Sequence, residues 1–219
     1  MTQPQGKAAR TRKIILEAAR QVFSEHGFDN APTSEVARVA ECAEGTVFLH
    51  FKNKRGLLLA LMQDFYDNLQ SESEALLEKP CTDSQQLVRL AELYLVELEK
   101  NWPVVKLFGV RARRAEDEFS SRFYASNQRY TRLFVELFEQ MRESGEFRRS
   151  VNPRRLRDML FGAIEHYALS HFDRGVRIDI PELTAQILDL LFYGASEPSN
   201  LVGSEAKLDR ILALLERQV

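Results

Sequence analysis

Apolar residues recur every three to four positions along this chain, in stretches separated by short polar breaks. Ile15, Ala19, Val22 and Phe23 stand at i, i+4, i+7 and i+8, which is one face of a helix. The spacing predicts a helix over residues 9–25, with Gly27 just past its end, where a left-handed cap is usual. Residues 1–9 are polar and are expected to fray. Thr33 or Ser34 can cap a second helix that turns Val36, Ala37 and Ala40 inward. A third begins at Ala43 or Glu44 and ends around Phe51. Lys52-Asn53-Lys54 then leads into a long helix over 54–77, with Leu57, Leu58, Leu61, Phe65 and Leu69 on its buried face.

A break at Lys79-Pro80-Cys81-Thr82-Asp83 precedes the next helix, where Thr82 and Gln85 have the spacing of a capping box. That helix is expected to end near Asn101, with Pro103 restarting helical structure. Residues 117–143 form another amphipathic run, closed by Ser144-Gly145. Asn152-Pro153 pairs an N-cap with a proline at the first helical position and opens a helix reaching about Phe172. Pro181 opens one that ends near Gly194. Residues 194–200 read as a loop and 204–217 as a last helix. Only residues 176–180 alternate like a strand, too briefly to build a sheet. The chain is therefore expected to be all-α. Its parts are an N-terminal three-helix helix-turn-helix domain over 9–69 (the motif itself about 32–51) and a C-terminal helical domain over 70–219.

Charge sharpens this division. The net charge of -2 is uninformative, but residues 1–55 carry nine lysines and arginines against six acids. That is +3 for the first quarter and leaves -5 for the rest, as for a phosphate-facing head on an acidic body. With 219 residues, 44% of them hydrophobic and 28% charged, the chain has the make-up of a soluble globular protein of one or two domains. Two cysteines, Cys42 and Cys81, are too few for a disulfide framework and are expected to be reduced thiols in a cytoplasm. No charged-then-apolar leader and no spanning-length apolar run is seen, so secretion and membrane insertion are not expected.

The local chemistry of residues 33–54 points to DNA. Gly45, at the start of the third helix, has no side chain and lets backbone approach closely. Thr46 offers a hydroxyl and a methyl, groups that meet phosphates or a thymine methyl. Phe48 and His50 lie further along, and Lys54 stands where the fourth helix begins, a natural phosphate contact. Arg38 can touch phosphate or be solvated, and Arg10, Arg12 and Lys13 can form an arm beside DNA or a solvated helix start.

The run TRKIILEAARQVFSEHGFDNAPTSEVARVAECAEGTVFLHFKNKRGLLLAL resembles the N-terminal domain of TetR/AcrR-family transcriptional regulators. The likeness covers about residues 9–69. It lies in the Ile-Leu-x-Ala-Ala helix with Phe23, Gly27-Phe28, Thr33, Val36-Ala37, Ala40, Gly45-Thr46-Val47-Phe48, His50-Phe51, Lys54 and Leu57-Leu58. The resemblance implies an all-helical homodimer, usually a repressor, that is released from a near-palindromic DNA operator when its C-terminal part binds an inducer. Carried over by position, DNA-binding residues would be Thr33, Ser34, Glu44, Gly45, Thr46, Phe48, His50 and Lys54. The chain departs from the family's usual Ala-Gly-Val-Ser at Ala40-Glu41-Cys42-Ala43. Glu41 replaces a turn glycine, Ala43 lacks a capping hydroxyl, Glu44 sets an acid before the groove, and Phe48 replaces a frequent tyrosine. A helical ligand-binding or protein-interaction module with a degenerate, non-binding head is the competing reading.

The body is rich in aromatics. Tyr94, Trp102, Phe108, Phe123, Phe134 and Tyr167 are candidates for an apolar effector site, and Arg111, Arg113 and Arg114 for its mouth or for a solvated face. Leu160, Ala163 and Ile164 on one helix, with Leu183, Ile187 and Leu190 on the next, are candidates for the dimer interface that the resemblance implies. Phe161-Gly162-Ala163 followed by Tyr167 and Phe172 resembles members that respond to small hydrophobic molecules such as fatty-acid derivatives. Catalysis is not expected. Glu165, His166, His171 and Asp173 are the only concentrated titratable set with a histidine, and the histidines stand five apart rather than four. No zinc spacing, phosphate loop, nucleophile elbow or cofactor motif is present.

Overall fold

The computed structural model describes residues 4–114 and 117–195, and the helix expected at 204–217 lies outside them. Eight helices make up the described residues: α1 (Pro4–Asn30), α2 (Thr33–Val39), α3 (Glu44–Phe51), α4 (Lys54–Leu77), α5 (Asp83–Arg114), α6 (Glu118–Glu143), α7 (Pro153–Phe172) and α8 (Ile180–Ala195). Residues 176–179 are irregular, not a strand.

Local chemistry explains most helix ends. Thr82 and Gln85 bond reciprocally, Thr82 N–H to Gln85 Oε1 (3.0 Å) and Gln85 N–H to Thr82 Oγ1 (3.3 Å). Asn152 Oδ1 accepts from the backbone of Arg154 and Arg155 at the start of α7. Asp117 does the same for α6, accepting from Ser120 N–H at 3.1 Å. That backbone hydrogen bond, helped by the Arg111 guanidinium, holds the Asp117 carboxyl below its ordinary range.

Two expectations need correction. Helix α1 begins at Pro4, so residues 4–9 are helical, and its only break is Gly27, at φ 71° and ψ 162°. Helix α5 runs unbroken through Pro103. The proline removes one donor to the preceding turn, but Trp102 and Val104 are both buried beside it, so packing holds the helix across the lost bond.

The chain packs as two compact units. The first comprises residues 1–68 and 101–127, so it takes in part of α5 and α6 as well as the expected head. In it α1 packs on α2 and α2 on α3. Its core holds Ile15, Ala19, Val22 and Phe23 of α1, Val36 and Ala37 of α2, Val47 and Phe51 of α3, and Leu57, Leu58 and Leu61 of α4. Arg20 gathers α1, α4 and α5 here, donating to Asp64 Oδ2 (3.1 Å) and to Asn101 Oδ1.

The second unit comprises, among the described residues, 69–100 and 128–195. Tyr94, Tyr130, Phe134 and Phe161 meet there with ring centroids 4.8–6.2 Å apart. Phe147 packs between Phe138 and Phe192. Ser84 donates to Glu146 (2.7 Å), and Arg148 N–H donates to the Ala195 carbonyl (2.9 Å).

Candidate nucleic-acid interface

Helices α2 and α3 are joined by a Schellman turn. Cys42 N–H donates to the Ala37 carbonyl (3.0 Å) and Glu41 N–H to that of Arg38 (3.2 Å). The motif needs a left-handed residue at Glu41, which has φ 51°. Glycine accepts that conformation freely, whereas a residue with a Cβ loses about 1 kcal/mol there. The turn geometry survives at the expense of local strain.

Helix α3 opens without a side-chain cap, as Ala43 requires. Glu44 is instead engaged by Thr33, whose hydroxyl donates to Glu44 Oε1 at 2.7 Å. Thr33 is therefore the first residue of α2, not its cap (Pro32 takes that place), and it ties the starts of α2 and α3 together. An acid at Glu44 also favours the positive end of α3.

Only Val47 and Phe51 of α3 are buried. Glu44, Gly45, Phe48 and Leu49 are exposed, and Thr46 and His50 are half-buried. Five of the expected site residues thus share one short helix, while Thr33 and Ser34 open α2 and Lys54 opens α4; the exposed side of α3 also includes Leu49, at 82% exposure. Sequence reasoning passed over Leu49, although an apolar residue out of phase with Val47 and Phe51 was the available signal. A Cβ built on Gly45 would meet nothing within 4 Å, and its φ is not positive. Nothing inside the protein calls for glycine at that position.

The step from α3 to α4 is tighter. Asn53 N–H donates to the Phe51 carbonyl (2.7 Å) across Lys52, at φ 63° and ψ −44°, which is the strained, classic form of γ-turn. Asn53 Oδ1 then caps α4 by accepting from Gly56 N–H (2.8 Å). A Cβ on Gly56 would lie 2.1 Å from the Phe51 carbonyl oxygen, so only glycine fits.

Lys54 does not dangle into solvent. Its ammonium donates to the Asp29 carbonyl at 2.9 Å and lies 4.8 Å from the centre of the Phe28 ring. One of its three donors is used, and the charge sits at the end of α1. Arg38 is exposed, in a forked pair with Glu35 (2.9 and 2.6 Å) that holds the Glu35 carboxyl below its ordinary range. Arg12 stacks on Phe51, 5.4 Å from the ring centre, while Arg10 and Lys13 are exposed on α1. Ser34 is exposed at the start of α2.

The other candidate residues fare differently. The six aromatics are divided between the units: Trp102, Phe108 and Phe123 belong to the first, Tyr94, Phe134 and Tyr167 to the second. Phe108 packs on Phe65 and Phe123 on Tyr66. Tyr94 donates to Glu165 (3.1 Å), and Tyr167 stacks on His171. Arg111 pairs with Asp117 and lies over Phe119.

The dimer candidates differ in exposure. Leu160, Ile164 and Leu183 are buried in the protomer's own core, and Ile187 is half-buried. Ala163 and Leu190 do face outward, Leu190 at 74% exposure. The outer face of α7 carries Met159, Gly162, Ala163 and His166, with Met159 64% exposed. Leu160 is one position, about 100° of helix, round from Met159.

Among the described residues, no group of three or more His, Cys, Asp or Glu could hold a metal, and no helix is long and apolar enough to cross a membrane.

Residues 15–61 match the model for bacterial regulatory proteins of the tetR family, and residues 61–194 the model for the C-terminal region of YsiA-like proteins. The fatty acid metabolism regulator protein of Bacillus subtilis (strain 168) is 23% identical over 180 residues, which is 82% of this chain and 93% of that one. The crystal structure of the transcriptional regulator FadR from Bacillus subtilis in complex with stearoyl-CoA has a TM-score of 0.75 at 22% identity, over 83% of this chain and 98% of its own. That of AibR in complex with isovaleryl coenzyme A and operator DNA has a TM-score of 0.68 at 18% identity, with the same coverages. At these identities the structural likenesses establish the fold.

Proposed function

This chain belongs to the tetR family of bacterial regulatory proteins, and we propose that it is a homodimeric repressor that an acyl-coenzyme A thioester releases from a near-palindromic DNA operator. It is a DNA-binding transcriptional regulator of the TetR type, and the finer assignments rest on residues. The exposed side of α3 carries most weight: an eight-residue helix with two buried side chains and a bare glycine facing outward.

In this reading α3 enters the major groove and α2 braces it across the backbone. Thr46, Phe48 and His50 lie at base edges, and Gly45 lets α3 approach closely. Thr33, Ser34 and Lys54 serve the phosphates, Lys54 through the donors that Asp29 does not use. Glu44 supports the site by fixing α3 against α2. The non-binding alternative rested on Glu41 and Glu44. The turn is kept despite Glu41, and Glu44 is engaged by Thr33, so both observations favour DNA.

A dimer would seat two α3 helices in successive major grooves, about one helical turn apart or somewhat more. For its seam we propose the outer faces of α7 and α8, with Met159, Ala163 and Leu190 in place of the buried Leu160, Ile164 and Leu183. The effector class is supported by the stearoyl-CoA and isovaleryl coenzyme A bound to the two structural neighbours and by the name of the Bacillus subtilis relative. Such a ligand shifts the operator equilibrium only by its differential affinity for the two protein states. A cytoplasmic location fits this role.

The test is a mobility-shift titration of the upstream region of the chain's own gene. Specific retardation that weakens with salt and is reversed by stearoyl-CoA or isovaleryl-CoA, but not by free coenzyme A, is expected. Absence of specific retardation at low salt would refute the DNA reading. Retardation indifferent to both thioesters would refute the effector class.

A further inference from the structure

We infer that α3 recognises its operator through the 5-methyl groups of thymine, with Leu49 and Phe48 as the contacting side chains. The inference rests on the reading of the head as a DNA-binding unit and names the base chemistry that unit selects.

Helix α3 lacks the usual readers of the purine bases. Guanine is read in the major groove chiefly by arginine or lysine, and adenine by asparagine or glutamine. The helix sequence Glu44-Gly-Thr-Val-Phe-Leu-His-Phe51 contains none of the four. Lys52 lies past the helix end, in the γ-turn. An acid can accept from the cytosine amino group, but Glu44 Oε1 already takes the Thr33 hydroxyl at 2.7 Å. His50 is half-buried, against the Phe51 ring.

Beside the half-buried Thr46, the large side chains that α3 exposes toward a groove are apolar. Leu49 is 82% exposed and Phe48 42%, side by side on a helix whose other large apolar residues, Val47 and Phe51, are buried. The thymine methyl is the apolar group on a major-groove base edge, so it is the natural partner for such a surface. Leu49 follows Gly45 by four positions and so stands above it on the same face. With no side chain at Gly45 and nothing within 4 Å of where one would start, α3 can sink until a leucine reaches the base edges. Charge completes the fit: Arg38, Lys52 and Arg55 are exposed in the same unit for the flanking phosphates.

The experiment uses the full chain. Duplexes with a randomised core are selected by binding, and the enriched duplex is remade with deoxyuridine for thymidine, one position at a time. Uracil removes only the methyl. Wild type should lose about fourfold in affinity at one or two thymines per half-site, the effect of one buried methyl-sized group. Leu49→Ala, at an exposed position that leaves the core intact, should bind the thymine and uracil duplexes alike at the position Leu49 contacts. Equal binding of both duplexes by wild type at every position would overturn the inference while leaving the DNA-binding reading intact, as would thymine preferences that Leu49→Ala retains in full at every position. Failure to enrich any duplex at low salt would overturn the DNA-binding reading and this inference with it.

Discussion

Replacing Gly45 by alanine should move folding and operator binding in opposite directions. Gly45 is the second residue of α3, its φ is not positive, and a Cβ there would meet nothing within 4 Å. The folded chain therefore gains alanine's helix preference and the smaller entropy of its unfolded state, together about 0.4–1 kcal/mol. For a chain of this length that is a rise in Tm of about 1–4 °C. On DNA the same methyl projects from the exposed side of α3. If backbone approaches the duplex to van der Waals contact there, the methyl forces the two apart. Overpacking of that size typically costs about 1–3 kcal/mol, or about 5- to 150-fold in affinity. Thermal melting by circular dichroism and anisotropy of a labelled operator duplex, at one fixed salt concentration, read the two effects separately. Unchanged affinity in Gly45→Ala would place DNA away from Gly45 and undo the docking proposed here. A lowered Tm would show that the space around Gly45 is not open.

Gly56→Ala should do the reverse inside the protein. With a Cβ 2.1 Å from the Phe51 carbonyl oxygen, the γ-turn must open, and denaturant titration should show a loss of about 2 kcal/mol or more; a gain would contradict the close approach. Met159→Glu should dissociate the dimer in sedimentation, whereas Leu160→Glu should unfold the chain by burying an unpaired charge. A folded dimer of Met159→Glu would move the seam elsewhere. Burial pushes the Glu92 carboxyl up, with Arg89 pulling it partly back. The folded state therefore holds that proton more readily than the unfolded state, and Glu92 lowers stability as pH rises from the unfolded carboxyl range through the raised folded value. Glu92→Gln should stabilise at neutral pH, progressively less toward acid, and a benefit that did not shrink on acidification would refute the assignment.

The apolar stripes and capping residues made most helices legible from the sequence, because both signals are local. Thr82 with Gln85, and Asn152 before Pro153, act within one turn of chain and marked their helix starts correctly. Glu41 in a glycine's place was visible in the sequence, and it stands at a positive φ in the turn. What escaped depends on contacts distant in sequence. Continuity through Pro103 is carried by buried neighbours, which local propensity does not contain. On α7 the 3.6-residue period draws one stripe through Leu160 and Ile164 and another, a single residue round, through Met159 and Ala163. Which stripe faces the protomer's own core is set by packing partners. Gly56 is a different case, since its neighbour is only five positions away: the positive-φ γ-turn at Lys52 brings the Phe51 carbonyl over it. The basic residue at Lys54 was evident, but its seat on Asp29 and Phe28 lies some twenty-five positions away along the chain.

That seat changes what Lys54 does before any DNA arrives. A lysine ordered only at the duplex surface loses about 1.5–2 kcal/mol of rotamer freedom at that moment. Lys54, held by a carbonyl and an aromatic ring, has lost much of its freedom on folding, so encounter with a phosphate demands less rearrangement. In the proposed docking, Phe28 and Asp29 would thereby govern a DNA contact without making one. A genetic screen for operator recognition should return substitutions at Phe28, and they would be misassigned as contact residues by anyone reading affinity alone.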